Sequence, residues 1–75
     1  MKNIITAIAF ERNAGGYRAR VLDKRDQQIH ESPILDTIKA ARNWARSKAL
    51  DLAGEQSYRL GYCYKPWTMC VWVRE

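Results

Sequence analysis

The 75-residue sequence predicts an α+β domain: an antiparallel β-sheet, with elements in the order β-β-β-α-β-β, covered on one face by a single helix. Two observations predict this fold class. The segments on both sides of a central stretch alternate apolar and polar side chains, as half-buried strands do. The central stretch instead repeats alanine at helical spacing. No repeat or low-complexity linker divides the chain, so we expect residues 1–75 to form one domain.

The first three predicted elements are strands. Residues 4–10 are rich in β-branched side chains, and the two glycines at 15–16 supply the turn that follows. The segment YRARVLD, residues 17–23, alternates apolar and basic side chains, so its solvent side is expected to be positively charged. A turn at DKRD then leads into a weak third strand within QQIHES.

A helix is predicted next, beginning at Ser32 and Pro33, because serine caps helices well and proline fits the first helical position. Asp36 is the alternative cap. The helix runs to about Ala53, where Gly54 ends it. One apolar face is expected along it, formed by Ile34, Ile38, Ala41, Ala45, Ala49 and Leu52. Its alanines are small enough to let the helix lie close to the sheet.

The aromatic-rich tail predicts a hairpin whose loop is residues 65–68, with proline at the second position of a type I turn. That loop would set Tyr64 opposite Met69 and Cys63 opposite Cys70. Alternation then gives the tail a core face and an outer face. The core face would hold Tyr58, Leu60, Tyr62, Tyr64, Met69, Val71 and Val73. The outer face would hold Arg59, Gly61, Cys63, Cys70, Trp72 and Arg74.

The charge balance favours an anionic partner. Lysine and arginine number 13 against 8 acidic residues, a net charge of +5. Most of these cations are arginine, whose planar fork donates two parallel hydrogen bonds to a phosphate. The sheet face away from the helix is expected to gather a basic surface around one tryptophan. Its predicted members are Arg18, Arg20, Lys24, Arg59, Trp72 and Arg74.

Shallow space is expected beside Trp72, because Ala7, Ala9 and Gly61 are small, and Glu11 would be the main acidic residue of that face. Arginine interleaved with an aromatic ring suits nucleic acid, since guanidinium groups hold phosphates or guanine edges and the ring can stack on a base. The structural alternative is a solvated sheet face on which neighbouring arginines cover the indole by cation–π contact.

A secondary candidate site lies on the helix and at the hairpin tip. Lys39, Arg42 and Arg46 fall on one flank of the helix and could follow a phosphate chain, although such flanks are usually only solvated. Trp67 is expected to be exposed at the tip, where it would be a plausible interface hot spot.

The sequence contains no catalytic constellation. Its one histidine, His30, has no orienting carboxylate on its own strand face, and two cysteines with one histidine are too few for structural zinc. We therefore expect a non-enzymatic protein without metal or cofactor. No apolar run reaches the roughly 18–20 residues of a membrane span, and no signal peptide is convincing. A cytoplasmic protein with Cys63 and Cys70 as free thiols is predicted.

The stretch GGYRARVLDKRDQQIHESPILDTIKAARNWARSKA, residues 15–49, resembles the arm-type and AP2-like DNA-binding domains of phage integrases and plant regulators. In that family a strand of the type Y-R-A-R-V is followed by a turn, another strand and an alanine-rich helix, and the sheet enters the major groove. The resemblance covers under half of the chain. It implies DNA contacts for Arg18 and Arg20.

Two functional hypotheses follow. The first is a small DNA-binding protein that uses its basic sheet face and Trp72 on double-stranded DNA. The alternative rests on the small size, basic face and dense aromatic residues, which are similar to those of phage and mobile-element proteins of the anti-CRISPR or anti-restriction type. Such a protein would inhibit a host defence complex by docking on it. A homodimer formed through sheet faces or edge strands is also open.

Overall fold

The computed structural model describes residues 2–25, 27–55, 58–64 and 66–73, and it confirms the α+β class and the element order. Before the helix come β1 (Lys2–Glu11), β2 (Tyr17–Asp23) and β3 (Gln28–Glu31). Helix α1 (Ile38–Ala53) is followed by β4 (Tyr58–Tyr64) and β5 (Trp67–Val73). The strands form one antiparallel sheet in the order β3-β2-β1-β5-β4, so β3 and β4 are its edges.

The core between α1 and the sheet is built largely from alanine. The helix packs on β1 and β2 and, to a smaller extent, on β5. Its buried residues are spaced four apart, and none is more than 1% exposed: Ala41, Ala45, Ala49 and Ala53. The sheet contributes alanines to the same cluster: Ala7, Ala9 and Ala19. Because no side chain on either surface extends beyond Cβ at these positions, the helix and sheet backbones approach closely.

The two faces of β1 are opposite to the prediction. Ala7 pairs with Val21, which is fully buried under the helix, and Ala9 is buried with it. The expectation that these two alanines lie on the outer face is therefore wrong. The larger side chains of Ile8 and Phe10 occupy that face instead. Packing accounts for this arrangement, because the alanines of the helix can approach Ala7 and Ala9 more closely than they could approach Ile8 and Phe10.

The helix begins later than predicted. Its N-cap is Thr37, whose Oγ1 accepts a hydrogen bond of 3.1 Å from the backbone N–H of Ala40. The predicted caps, Ser32 and the alternative Asp36, are both wrong. The backbone before Thr37 cannot join the helix because part of it pairs with the sheet.

This preceding segment extends the edge of β2. Leu35 and Tyr17 exchange two backbone hydrogen bonds of 2.8 Å. Ser32 is buried, and its Oγ accepts a hydrogen bond of 2.8 Å from the backbone N–H of Ala19. The same hydroxyl donates to the carbonyl of Pro33 at 2.8 Å. Ser32 therefore satisfies buried backbone groups of the sheet rather than the first turn of the helix.

The end of the helix is confirmed. Gly54 has a φ of 69°, which glycine adopts without strain, and its N–H donates to the carbonyl of Leu50 at 3.1 Å. The predicted apolar face is wrong at both ends, because Ile34 lies before the helix and Leu52 is exposed. Ala53, one residue later, continues the buried row.

The C-terminal hairpin closes earlier than predicted. Tyr64 pairs with Trp67, so the loop is two residues long rather than four, and its first residue, Lys65, lies outside the described residues. Cys63 consequently faces Thr68. This partner lies two residues from the predicted one, and a shift of two leaves each side chain on its original side of the sheet. The core and outer faces of the tail are therefore as predicted for the described residues.

We predict that Ala45→Leu destabilises the fold by about 1–3 kcal/mol, because the added carbons must enter the closely packed layer between helix and sheet. Urea unfolding monitored by circular dichroism measures the change in free energy of unfolding. Ser47→Leu is the matched control, since Ser47 is exposed on the same helix. An equal effect of the two substitutions would contradict the described packing.

Candidate functional site

The open face is the side of the sheet that α1 does not cover. Strand register assigns its members, because residues paired across neighbouring strands point to the same side. Its members on β1 to β3 are Asn3, Thr6, Ile8, Phe10, Arg18, Arg20, Leu22, Gln28 and Glu31. Its members on β4 and β5 are Arg59, Gly61, Cys63, Thr68, Cys70 and Trp72. The sheet places Arg18, Arg20, Arg59 and Trp72 on this one side, whereas the predicted site residue Arg74 lies outside the described residues.

A half-open recess lies at the β4–β5 end of the open face. It has a volume of about 370 Å³ and is lined by Arg59, Leu60, Gly61 and Trp72. Arg59 and Trp72 are direct cross-strand neighbours, and Gly61 is the next residue on the same side of β4. The predicted space beside Trp72 is therefore present, with Gly61 as the small residue that leaves it open.

Gly61 determines how the indole lies. A Cβ added to Gly61 would be 3.3 Å from Nε1 of Trp72 and 3.8 Å from its Cδ1, a tight fit. The pyrrole edge of the indole therefore lies against the backbone of β4. Trp72 is half-buried, so the ring is held in place while part of it still lines the recess.

Arg18 and Arg20 form a second group, at the β2–β3 end, and both contact one carboxylate. Arg18 Nη1 lies 2.8 Å from Glu31 Oε1, and Arg20 Nε lies 3.0 Å from Glu31 Oε2. Arg18 Nε also donates to the carbonyl of Ser32 at 2.8 Å. Arg20 lies over the Phe10 ring, with its guanidinium carbon 4.8 Å from the ring centroid. Two guanidinium groups and one carboxylate leave this cluster with one positive charge.

Among the residues that the structure describes, Glu31 is thus the acidic residue of the open face. The expectation that Glu11 has this role is wrong, because Glu11 pairs with Tyr17 and has the parity of the helix-covered side. Lys24 is not on the face either: it is exposed in the turn after β2. In that turn, Asp23 Oδ1 accepts backbone hydrogen bonds from Arg25 and Gln27. The predicted turn is confirmed, but it directs Lys24 away from the strand surface.

The basic residues therefore form two separate groups. Strands β1 and β5 lie between β2 and β4, so Arg59 is displaced about 14 Å across the sheet from Arg18 and Arg20, at about 4.8 Å per strand. The groups are displaced along the strands as well, because Arg59 is level with Asn3 of β1, whereas Arg20 and Arg18 are level with Ile8 and Phe10. The surface between the two groups is uncharged among the described residues. It is an apolar band consisting of Thr6, Ile8, Phe10, Leu22, Thr68 and Cys70. We did not predict this band, although the β-branched side chains alternating along β1 are a signal for it.

The secondary candidates lie on the other side of the sheet, next to β4. Arg46 is exposed on α1, and its Nε donates to the Tyr62 hydroxyl at 3.4 Å. Lys39 is exposed on the same flank, whereas Arg42 is half-buried. The helix does not cover β4 as it covers β1, since Tyr62 and Tyr64 remain exposed with their rings stacked at 6.0 Å.

Trp67 is buried, so the prediction of an exposed tip tryptophan is wrong. It is only 7% exposed, and its ring centroid lies 6.2 Å from that of Tyr62. The cause is the shorter turn: once Trp67 is the first residue of β5, it points to the same side as Met69 and Val71. This residue belongs to the core and carries no site.

The cysteines do not oppose each other, contrary to the prediction. Cys63 pairs with Thr68 and Cys70 pairs with Gly61, so the two thiols are diagonal neighbours on the open face. Both are free; Cys63 is exposed and Cys70 is half-buried. Cys70 Sγ lies 3.9 Å from Thr6 Oγ1.

Comparison of the chain with protein-family models, curated proteins and solved structures finds no match. The resemblances to DNA-binding domains and to phage inhibitors therefore stay predictions. Within the described part of the chain, no helix is long and apolar enough to cross a membrane.

Proposed function

We propose that the protein binds nucleic acid through the open face and catalyses no reaction. The observation that carries the proposal is the recess lined by the cross-strand neighbours Arg59 and Trp72, with Trp72 packed against Gly61. A guanidinium group beside an aromatic ring offers a phosphate contact and a stacking surface within one nucleotide of each other. The proposal covers duplex and single-stranded ligands, since both carry the phosphates that the arginines would contact.

Charge supports the same conclusion. The net charge is +5, and the open face has arginines at both ends, so a polyanion could contact both groups at once. Arg59 has no ion-pair partner among the described residues and is exposed, which leaves it free to contact phosphate. Arg18 and Arg20 are engaged by Glu31, but their ion pairs lie at the surface, where such a pair is worth only about 0.2–1 kcal/mol. A phosphate can compete for them at that cost.

Salt dependence tests the proposal. Binding of labelled single-stranded and duplex oligonucleotides, measured by fluorescence anisotropy, should weaken steeply as salt is raised, because each neutralised phosphate releases counterions. Replacing Arg18 and Arg20 together by glutamine should weaken binding. It should also flatten the logarithmic salt slope by about 1.4–1.8, at about 0.7–0.9 per phosphate contact.

The matched control for this double variant is Lys39→Gln with Arg46→Gln, which removes the same charge from the helix side. It should leave the slope close to that of the original protein. Equal losses in the two double variants would show that net charge, rather than the open face, controls binding. The absence of any complex at low salt would refute the proposal.

Glu31→Gln provides a test in the opposite direction. Removing the carboxylate should release both arginines and raise the affinity about twofold to tenfold at low salt, given the small worth of each surface ion pair. Glu11→Gln is the matched control, because it removes one negative charge from an exposed residue off the open face. An equal gain in both variants would mean that Glu31 does not restrain these arginines.

A protein partner is the second candidate, in keeping with the inhibitor hypothesis. The apolar band favours it, because Ile8, Phe10 and Leu22 between flanking arginines resemble the apolar centre and polar rim of a protein interface. Affinity purification with and without nuclease distinguishes the candidates. We expect co-purifying material to be lost on nuclease treatment. Retention of a stoichiometric protein that Trp72→Ala releases would establish the second candidate instead.

A further inference from the structure

Building on the proposed function, we infer that the recess at Trp72 takes one unpaired nucleobase, so that the preferred ligand is a single strand. The recess, of about 370 Å³, lies at the lower end of the roughly 300–1,000 Å³ range of small-molecule pockets. That space suits one planar ring with its sugar. A base stacked within a duplex cannot enter it without leaving its neighbours.

The position of the Trp72 indole is restricted before any ligand binds. The ring lies so close to the Gly61 backbone that a Cβ added there would be only 3.3 Å from its Nε1, so few alternative positions are open to it. A ring that is already fixed loses little conformational freedom when a ligand stacks on it. Aromatic stacking tolerates any base, because every base has a π-face, and Arg59 beside the ring can contact the adjoining phosphate.

The rest of the open face does not suit the major groove of a duplex. A sheet that reads a groove needs side chains that reach base edges and form hydrogen bonds there. The centre of this face offers the apolar band instead, whose polar members, Thr6, Thr68 and Cys70, are short, and the neighbouring Asn3 amide donates its hydrogen bond to Thr6 Oγ1 at 3.1 Å. Arg18 and Arg20, the arginines best placed to read guanine, are held by Glu31. An apolar surface with cations at its two ends is suited to splayed bases whose backbone runs between those cations.

Gly61→Val tests the inference. Valine is favourable in strands, and its branched side chain would fill the recess and displace the indole. A short labelled oligothymidylate should bind this variant about tenfold more weakly than it binds the original protein, because the stacking contact is lost. An abasic oligomer of the same length should bind both proteins equally, since it retains only the phosphate contacts. The original protein should bind the oligothymidylate more tightly than an equally long duplex.

Tyr58→Val is the matched control. It introduces the same side chain on the same strand, at an exposed residue on the side of the sheet away from the open face. Its affinity for the oligothymidylate should be unchanged. Urea unfolding checks that each variant is folded. If Gly61→Val does not fold, Gly61→Ala takes its place, because one added methyl moves the indole by only a few tenths of an ångström and should weaken binding to a smaller extent.

The outcomes separate this inference from the proposed function. Equal binding of the oligothymidylate and the abasic oligomer, or no effect of a folded Gly61 variant, would overturn the inference while leaving binding through phosphate contacts in place. Tighter binding of the duplex than of the single strand would also overturn it. A protein that binds none of the three probes at low salt would refute both the inference and the proposed function.

Discussion

The close contact between alanines of α1 and alanines of the sheet is the constraint on which the rest of this fold depends. Where a helix surface ends at Cβ, small residues on the facing sheet let the two backbones approach closely, and larger residues such as Val21 and Met69 fill the rest of the layer. Ala7 and Ala9 are therefore turned toward the helix, and the larger residues between them must face away. The helix side becomes thin and tightly packed, and the bulk of the apolar side chains of β1 goes to the open face. The apolar band is thus a direct product of how the core is packed.

A small residue also shapes the candidate site. Gly61 lacks a side chain where Trp72 needs room, and this one absence both fixes the indole and leaves the recess beside it. The charged groups are organised by a different interaction: Glu31 holds Arg18 and Arg20 at the far end of the sheet. The open face therefore has one end where a half-buried ring lines a recess and another where two arginines are paired with a carboxylate.

Much of this arrangement could be predicted from the sequence, because strand alternation is a strong signal where one face is charged. Tyr17 to Val21 alternates without ambiguity, so the outward position of Arg18 and Arg20 was correctly predicted. The tail alternates in the same way, and a turn misplaced by two residues did not change the side on which Trp72 lies. In β1 both faces are apolar, so alternation alone could not assign them. Only the packing requirement of the helix decided that case.

Other features, namely the turn length, the start of the helix and the register of β3, are not determined by local sequence. Burial of Trp67 follows from the length of the turn before it, and a proline within the loop is compatible with more than one turn. The start of the helix depended on whether Leu35 pairs with the sheet, which is a long-range contact. The ion pairs of Glu31 required the exact register of β3, a strand of four residues that pairs through a bulge.

The position of Cys63 has a practical consequence. This thiol is free and exposed, and it lies on the open face only two residues from Gly61. Cys70, the other cysteine, is more shielded, which favours selective labelling of Cys63. An environment-sensitive dye attached there would sit beside the recess without any change to the encoded chain. The molecule therefore carries its own attachment point for an optical sensor of occupancy.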